Sequence, residues 1–325
     1  MEVEQPRTGD QDEATARRLR LPGERFRPDR RMEAVRTLWK LLLFLFITVG
    51  IGQRLVYTES AQLFGVPRGM TSPQFLLFYE VGNFALVLGL TWLLSLLEKT
   101  PFGEYGLPFA EAFRANFWIG FLLGLAEASV LVALIAALGG YSFGALAQHG
   151  GDILKWGLLQ LGGFIFVGLY EEFLFRGYLQ HSLGRLVGFW PAGAVLSVGF
   201  GAVHLSNQGE DWVGAASIVV VGFLFVFTLK RTGNLWYAVG LHAGFDWAQS
   251  FVYSVPDSGE LIFGHLSDSV LHGPKWLTGG TVGPEGSVFC FATMGLQFLV
   301  VMWLFPANKS GQGAEPAAFE EHSGA

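Results

Sequence analysis

The chain has 325 residues, of which 51% are hydrophobic and 15% are charged, and its formal net charge is −6 at pH 7. A soluble domain usually carries about 25% charged residues, so this composition argues against a soluble globular protein. The single cysteine, Cys290, excludes an internal disulfide framework and a CxxC metal site. No basic stripe with interleaved aromatic residues is present, which argues against nucleic-acid binding.

The apolar residues are concentrated in eight stretches, each near the roughly 20 residues that a membrane-spanning helix needs. They cover residues 37–56, 74–97, 115–138, 153–179, 189–205, 212–230, 234–253 and 287–305. The sequence therefore predicts an all-α fold, a polytopic membrane helix bundle of about eight transmembrane helices.

Polar sequence flanks these stretches at both ends of the chain. Residues 1–34 are charged and contain Pro and Gly, and residues 307–325 are similarly polar. Such segments do not bury enough apolar surface to fold alone. We therefore predict a disordered cytoplasmic arm at 1–34, a transmembrane helical domain at 35–306 and a disordered tail at 307–325.

The distribution of Lys and Arg predicts the orientation, because cytoplasmic ends of spanning helices carry an excess of these residues. Most of them lie in or next to the arm, in or next to the connections after the second, fourth and sixth stretches, and in the tail: Arg25, Arg27, Arg30, Arg31, Arg36, Lys40, Lys99, Arg114, Arg185, Lys230, Arg231 and Lys309. The opposite side carries Arg54, Arg68, Lys155 and Lys275. We therefore expect an integral, multi-pass protein of a bacterial cell membrane with both termini in the cytoplasm.

Two connections are longer than a tight turn. Residues 98–114 are broken by Pro101 and Pro108 and are expected to lie at the cytoplasmic interface. Residues 254–286 are rich in Gly, Pro and Ser and are expected to form an outer loop or a cap over the bundle.

Ionisable side chains interrupt the fourth apolar stretch. The segment GGFIFVGLYEEFLFRGYLQ contains Glu171, Glu172 and Arg176. A charge inside a spanning segment costs a few kcal/mol or more, which makes such residues functional candidates. Glu172 and Arg176 are four residues apart on one helix face, in the order that favours an ion pair. Glu171 lies about 100° around the helix, outside that pair, and is therefore the candidate general base.

Two histidines and a further acid lie in later stretches. FGAVH places His204 four residues after Phe200, and HAGFD places Asp246 four residues after His242. Two His, a free Glu and another acid could activate a water and stabilise an oxyanion. The same residue types could also bind one divalent metal such as zinc. That metal set would be Glu171, His204, His242 and Asp246.

Together these motifs resemble a known family. EEFLFR fits the pattern EExxxR, FGAVH fits FxxxH and HAGFD fits HxxxN/D, and they occur in this order across residues 171–246. Each short pattern alone is weak, but three in order on hydrophobic segments are a strong signal. The chain resembles the CPBP family of intramembrane proteases, also called the ABI or CAAX-protease-like family. That family includes the type II CAAX prenyl endopeptidases and bacterial bacteriocin-processing or self-immunity proteins.

The resemblance implies an intramembrane endopeptidase, a hydrolase acting on a peptide or protein substrate at the lipid bilayer. By similarity, Glu171 and His204 would activate the attacking water. His242 and Asp246 would stabilise the tetrahedral oxyanion. Glu172 would belong to the catalytic set and, with Arg176, would form a structural ion pair that holds the site together.

Two points stay open in this scheme. An Asn at position 246 would donate a hydrogen bond to an oxyanion, whereas an ionised Asp246 would repel it. Asp246 could instead be protonated, orient His242 or bind a metal. The HExxH motif of soluble zinc proteases is absent, so the residues fit both a metalloprotease and a metal-independent enzyme.

Two other functions are compatible with the same residues. Glu and His inside helices also serve proton relays, as in ion- or proton-coupled transporters, although no inverted repeat is evident. A non-catalytic immunity or scaffold member of the same fold is the other alternative.

Other polar residues have simpler interpretations. Glu80, Asn83 and Glu127 lie in apolar stretches, where hydrogen bonds between helices explain them as an alternative to a place in the cavity. The remaining histidines are expected in loops or tails without a role: His149, His181, His265, His272 and His322.

The depths of two catalytic candidates present a difficulty. At 1.5 Å per residue, Glu171 lies roughly 25 Å along a helix that descends from the outside. His204 lies roughly 20 Å along a helix that rises from the inside. Straight helices would hold the two apart by about half the bilayer, so we expect tilt or displaced helix ends to bring them together.

Overall fold

The computed structural model describes residues 30–67, 69–207 and 209–307. The predicted arm, up to residue 29, and the predicted tail, from residue 308, lie outside the described residues. The first helix begins at Arg30. Residues 30–34, which were predicted to belong to the disordered arm, are therefore helical.

Helices occupy all eight of the predicted stretches. The first pass combines α1 (Arg30–Leu45), a π-helical segment (Phe46–Gly52) and α2 (Gln53–Phe64), and it is followed by α3 (Pro73–Glu98) and α4 (Ala115–Ala137). The fourth pass combines α5 (Gly151–Phe173), a π-helical segment (Leu174–Leu179) and α6 (Gln180–Val187). The remaining helices are α7 (Phe189–His204), α8 (Trp212–Thr232), α9 (Trp236–Trp247) with the π-helical segment Ala248–Val252, α10 (Lys275–Thr278) and α11 (Val288–Leu304).

Five of these passes are long and apolar enough to cross a membrane: Arg31–Phe64, Pro73–Glu98, Ala115–Ala137, Gly151–Val187 and Trp212–Thr232. The helices Phe189–His204 and Val288–Leu304 are apolar but shorter. Helices of both groups carry large exposed apolar side chains, including Trp92 of α3 at 58% and Trp303 of α11 at 78%. An apolar surface of this kind is suited to lipid. The fold is a helical membrane bundle, as predicted.

The connections collect at two opposite ends of the bundle. At one end, β1 (Met70–Thr71) pairs in parallel with β3 (Leu261–Ile262), and β2 (Tyr141–Ser142) pairs antiparallel with β4 (Val270–Leu271). The 254–286 segment thus contacts the connections that precede α3 and α5. Lys275 also binds Asp211 at 2.8 Å, just before α8. The predicted cap is confirmed as a folded segment, which holds three other connections together.

At the other end, Lys40 of α1 binds Glu98 of α3 at 2.7 Å. The backbone N–H of Leu235 donates to Gly106 in the 98–114 segment, which contains the short 3₁₀ turns Phe102–Tyr105 and Phe109–Glu111. Arg231 donates to the carbonyl of Phe305 at the end of α11. Both described chain ends therefore lie on the same side of the bundle.

Local sequence explains several helix ends. Ser72 accepts a hydrogen bond from Phe75 N–H and is followed by Pro73 at the first helical position of α3, a favoured start. Asp211 caps α8 by accepting from the N–H groups of Val213 and Gly214. Gly233 ends α8 with φ 75°, a conformation that glycine adopts without strain.

Small residues bring α4 and α9 together. A Cβ on Gly124 would lie 2.0 Å from the carbonyl oxygen of Leu241, and a Cβ on Gly244 would lie 2.1 Å from that of Phe121. Gly120 and Gly240 make equally close approaches four residues earlier on each helix. Such paired small residues allow the backbones of membrane helices to meet. This contact fixes α9, and with it His242, against α4.

The fourth pass is longer than the predicted 153–179. It continues to Val187 through a kink at Gly177, where ψ is −112°. His181 was expected in a loop, which is wrong, because it lies in α6 and is 5% exposed with its ring 4.7 Å from that of Tyr105. The extension was missed because Gln180, His181 and Arg185 lower its hydropathy, although packing against the 98–114 segment buries it.

Candidate active site

The acidic pair lies where the fourth pass changes geometry. Glu171 and Glu172 are in the last turn of α5, and Arg176 is in the π-helical segment that follows. π-Helical segments inside α-helices occur frequently at functional sites. Glu172 and Arg176 are fully buried as side chains, whereas the Glu171 side chain is 23% exposed. The two neighbouring acids therefore have different environments.

Glu172 and Arg176 form the predicted ion pair. Arg176 Nη1 lies 3.2 Å from Glu172 Oε1. The guanidinium carbon lies 4.5 Å from the ring centroid of Phe200 and 5.4 Å from that of Phe225, distances typical of cation–π contacts. The pair is thus enclosed by aromatic residues of α7 and α8.

A glycine that sequence reasoning missed makes room for this guanidinium. A Cβ on Gly222 would lie 2.8 Å from Arg176 Nη2 and 3.2 Å from the Cβ of Ser197. Any larger residue at position 222 would displace the arginine or push α7 away from α8. A glycine in an apolar helix has many packing explanations, so the sequence held no signal for this one.

His242 lies between three carboxylates. Its Nδ1 is 3.2 Å from Glu172 Oε1, and its Nε2 is 3.3 Å from Asp246 Oδ2 and 3.7 Å from Glu171 Oε2. Its ring stacks on Phe225 at a centroid distance of 5.3 Å. Both ring nitrogens can donate to carboxylates only when the imidazole carries two protons. We call the residues Glu171, Glu172, Arg176, His242 and Asp246 the α5 cluster.

His204 belongs to the same site without contacting these carboxylates directly. Its Nδ1 lies 2.8 Å from the carbonyl oxygen of Phe200. Because a carbonyl only accepts, Nδ1 must carry the proton, and Nε2 of a neutral ring is then an acceptor. One cavity is lined by His204 together with His242 and Asp246.

The structure also resolves the difficulty about depth. Arg176 lies against Phe200, so these residues of α5 and α7 are level. Glu172 lies one helical turn closer to the cap than Arg176. His204 likewise lies one turn closer to the cap than Phe200. The acids and His204 therefore lie at similar depths. The mismatch in the predicted depths arose because the fourth pass continues to Val187, beyond the predicted end at residue 179.

The cap supplies cavity residues that the sequence analysis did not identify. Asp257, Ser258 and Glu285 line the cavity beside Asp246. Glu285 accepts from the backbone N–H of Ser258 at 2.6 Å and from the side-chain amide of Gln249. We call Gln249, Asp257, Ser258 and Glu285 the cap cluster. Gln249 lies in the π-helical segment after α9, and the other three lie in the Gly/Pro-rich 254–286 segment, so no helical spacing pattern could reveal them.

In the described part of the chain, no cation forms an ion pair with the acids of the cap cluster. Burial raises the pKa of Glu285 to about 8, although the hydrogen bond from Ser258 N–H opposes this shift. Burial, followed by the nearby carboxylates of Asp246 and Glu285, raises the pKa of Asp257 well above its usual range. Desolvation disfavours the charged form of an acid, so these two carboxyls favour the protonated state near neutral pH.

The residues do not form a metal site in this arrangement. Across the described ranges, no group of three or more His, Cys, Asp or Glu has the geometry of metal ligands. The nitrogens of His242 face Glu172, Asp246 and Glu171, and His204 Nδ1 faces a backbone carbonyl. The set Glu171, His204, His242 and Asp246 therefore does not fit a divalent ion, and no catalytic step is assigned to one.

The other polar residues within helices separate into two groups. Glu80 and Asn83 are 8% and 1% exposed within α3 and do not line the cavity. Glu127 of α4 is 7% exposed and does line the cavity. His149, His265 and His272 lie outside helices, as expected, and His322 lies beyond the described residues.

Comparison with known proteins supports the predicted resemblance. Residues 154–248 match the family model described as type II CAAX prenyl endopeptidase Rce1-like. The match covers less than a third of the chain and contains every member of the α5 cluster and His204. No curated protein and no solved structure gives a significant match. The resemblance predicted from the three motifs is confirmed for residues 154–248, which are similar to the Rce1-like family of type II CAAX prenyl endopeptidases.

Proposed function

We propose that this protein is an intramembrane endopeptidase that hydrolyses a peptide bond with a water activated by Glu171 and His204. The observation that carries the proposal is the division between the two glutamates. Glu172 is fully buried between Arg176 and His242, whereas Glu171 is partly accessible beside His242. A general base must reach a water and a substrate, and Glu171 is the acid of this pair that is accessible.

His204 is the second group that acts on the water. With its Nδ1 proton committed to the Phe200 carbonyl, its Nε2 accepts a hydrogen bond from a water in the cavity. Glu171 takes a proton from that water as the oxygen attacks the carbonyl carbon of the substrate. The proton then passes from Glu171 to the leaving amine as the C–N bond breaks. The products are a carboxylic acid and an amine, and the enzyme is regenerated.

His242 stabilises the charge that develops on the substrate. In the tetrahedral intermediate the carbonyl oxygen becomes an oxyanion, for which a positioned N–H donor is most effective in a site shielded from water. His242 Nε2 provides that donor. Glu172 contacts Nδ1 of His242, and Asp246 lies 3.3 Å from its Nε2. We therefore propose that Asp246 orients the His242 ring.

Mutation of the two water-activating residues tests this proposal. We expect Glu171→Gln and His204→Ala to lower kcat by about 100-fold or more each, the scale of general-base catalysis. Cleavage of a quenched peptide library by protein purified in detergent is the measurement. Glu111→Gln, an exposed acid in the 98–114 segment, is the matched control. Undiminished cleavage by Glu171→Gln would refute the assignment of the base.

The same assay separates the remaining alternatives. We propose metal-independent chemistry, so a chelator should leave cleavage unchanged, and a loss that added zinc restores would show a metalloprotease. Failure of the unmodified protein to cleave any peptide would favour a non-catalytic family member or a transporter. We also propose that both chain ends are cytoplasmic, which reporter fusions at each terminus test directly.

A further inference from the structure

Residues of α4 and α11 also contribute to the wall of the cavity. Glu127 of α4 and Cys290 and Met294 of α11 form part of it. All three lie outside residues 154–248, so this part of the wall lies outside the matched region. The side chains around it are largely apolar: Ile218, Val221, Phe225, Leu241 and Phe245.

Glu127 is an acid without a cationic partner on this wall. It is 7% exposed, and among the described residues no Lys, Arg or His forms an ion pair with it. Thr293 and Gln297 of α11 lie within hydrogen-bonding reach of its carboxyl. Their hydroxyl and amide also donate to the backbone carbonyls of Cys290 and Leu123, at 3.0 Å each.

The other acids of the cavity wall lie in different surroundings. Asp246 contacts His242, whereas Glu285 and Asp257 of the cap cluster accept from the neutral donors Gln249 and Ser258. Among the described residues, no Lys or Arg lines the cavity. A buried carboxylate without a compensating charge is unfavourable, so a cationic group whose stem packs on the apolar side chains of the cavity would pair favourably with Glu127.

Building on the proposed peptidase function, we propose that Glu127 determines specificity by selecting substrates with a Lys or Arg side chain next to the scissile bond. The aliphatic stem of such a side chain packs against Phe225, Leu241 and Met294, while its charged end pairs with Glu127. Long basic side chains commonly bury their stems in this way. The peptide carbonyl then lies near His204 and His242, because the same cavity contains both groups.

Peptide sets that differ at one position at a time test this role. Each set carries Lys, norleucine or Glu at one position around the cleavage site, so that charge changes while stem length is nearly constant. For the unmodified protein we expect kcat/KM to be about 10- to 100-fold higher with Lys than with norleucine at the selected position. The reason is that a site built for a polar group disfavours an analogue that lacks this group. Glu127→Gln should abolish this preference, so that the Lys and norleucine peptides are cleaved with equal kcat/KM.

Two further variants separate recognition from helix packing. Thr293→Val removes a neighbour of Glu127 but keeps the carboxyl, so it should retain the Lys preference. Glu127→Asp keeps the charge on a shorter side chain, so it should raise KM for the Lys peptide and favour the longer Arg. This second variant also serves if Glu127→Gln does not fold. Loss of the preference in Thr293→Val would instead assign Glu127 a purely structural role.

The outcomes also separate this inference from the proposed function. Equal cleavage of Lys and norleucine peptides at every position would overturn the role of Glu127 and leave the peptidase assignment intact. Absence of cleavage of all peptides by the unmodified protein would overturn both.

Discussion

The α5 cluster and the cap cluster are both buried groups of acids beside one cavity, and they are stabilised differently. In the α5 cluster, Glu172 has Arg176 at 3.2 Å and His242 at 3.2 Å. In the cap cluster, Glu285 has only neutral donors, the amide of Gln249 and the N–H of Ser258. The two clusters therefore differ in the kind of partner that a neighbouring helix or loop provides for a buried acid.

This difference also separates the two clusters by role. Charged partners can hold a catalytic carboxylate ionised and fix its orientation, which a general base and its support require. In the cap cluster, burial outweighs the neutral donors and favours a protonated acid, which can join loop segments without introducing charge. We therefore propose that the α5 cluster carries the chemistry and that the cap cluster supports the folding of the 254–286 segment over the cavity.

Removal of the arginine should break the α5 cluster. Arg176→Met leaves Glu172 buried without its cation, and we expect a loss of about 3–5 kcal/mol in the free energy of unfolding, the usual cost of breaking a buried ion pair. Denaturant titration in detergent measures this loss. Arg114→Met, which removes the exposed pair with Glu111, is the matched control and should cost about 1 kcal/mol or less. Equal losses in the two variants would contradict the comparison.

The cap cluster should respond to pH instead. Because the folded state raises the pKa of Glu285 to about 8, it retains a proton that the unfolded chain releases at its ordinary pKa, about 4.3. The folded state therefore binds more protons between these two values. Stability should fall as pH rises through that window.

Glu285→Gln tests this pH dependence, because an amide resembles the protonated acid in shape and cannot ionise. We expect the decline of Tm between about pH 5 and pH 8 to become shallower in the variant, by the linkage of proton binding to folding. Asp257, whose pKa is also raised, should retain part of the slope, and Asp257→Asn in addition should remove it. A Tm profile identical to that of the unmodified protein would show that Glu285 is not protonated in the fold.

The smallest effect is expected for an exposed acid. Asp211 caps α8 and binds Lys275 at 2.8 Å, and the hydrogen bond from Lys275 lowers the pKa of Asp211. Asp211→Ala removes both the cap and the ion pair and should cost about 1 kcal/mol, the typical value of an N-cap. Asp211→Asn keeps a capping oxygen and should cost only a few tenths of a kcal/mol, because exposed ion pairs contribute little. Thermal unfolding of the two variants makes the comparison, and equal losses would assign the effect to the ion pair.

Parts of the candidate site were predictable because helical periodicity acts locally. The spacing of Glu172 and Arg176 placed them on one face of a helix, and the structure confirms their ion pair. The spacing of His242 and Asp246 likewise predicts the 3.3 Å contact between them. The contact between His242 and Glu172 joins residues 70 positions apart, and no helical period specifies it.

Other parts depended on packing between distant segments. The placement of α9 against α4 depends on Gly120, Gly124, Gly240 and Gly244, and the space for Arg176 depends on Gly222. Each is an unremarkable glycine in an apolar sequence until the neighbouring backbone is known. The extension of the fourth pass to Val187 was missed for the same reason, since its polar His181 is buried against Tyr105 of the distant 98–114 segment.

The sequence by itself determined that this is a helical membrane bundle, because long apolar stretches and few charges are properties of composition and local order. It also singled out the candidate catalytic residues, because charges inside apolar helices are costly enough to stand out. Only the tertiary structure decided which partners these residues contact, that the cap and Glu127 line the same cavity, and that His204 lies at the same depth as the acids. Those features depend on helix ends, kinks and backbone contacts between distant segments, which are set by packing.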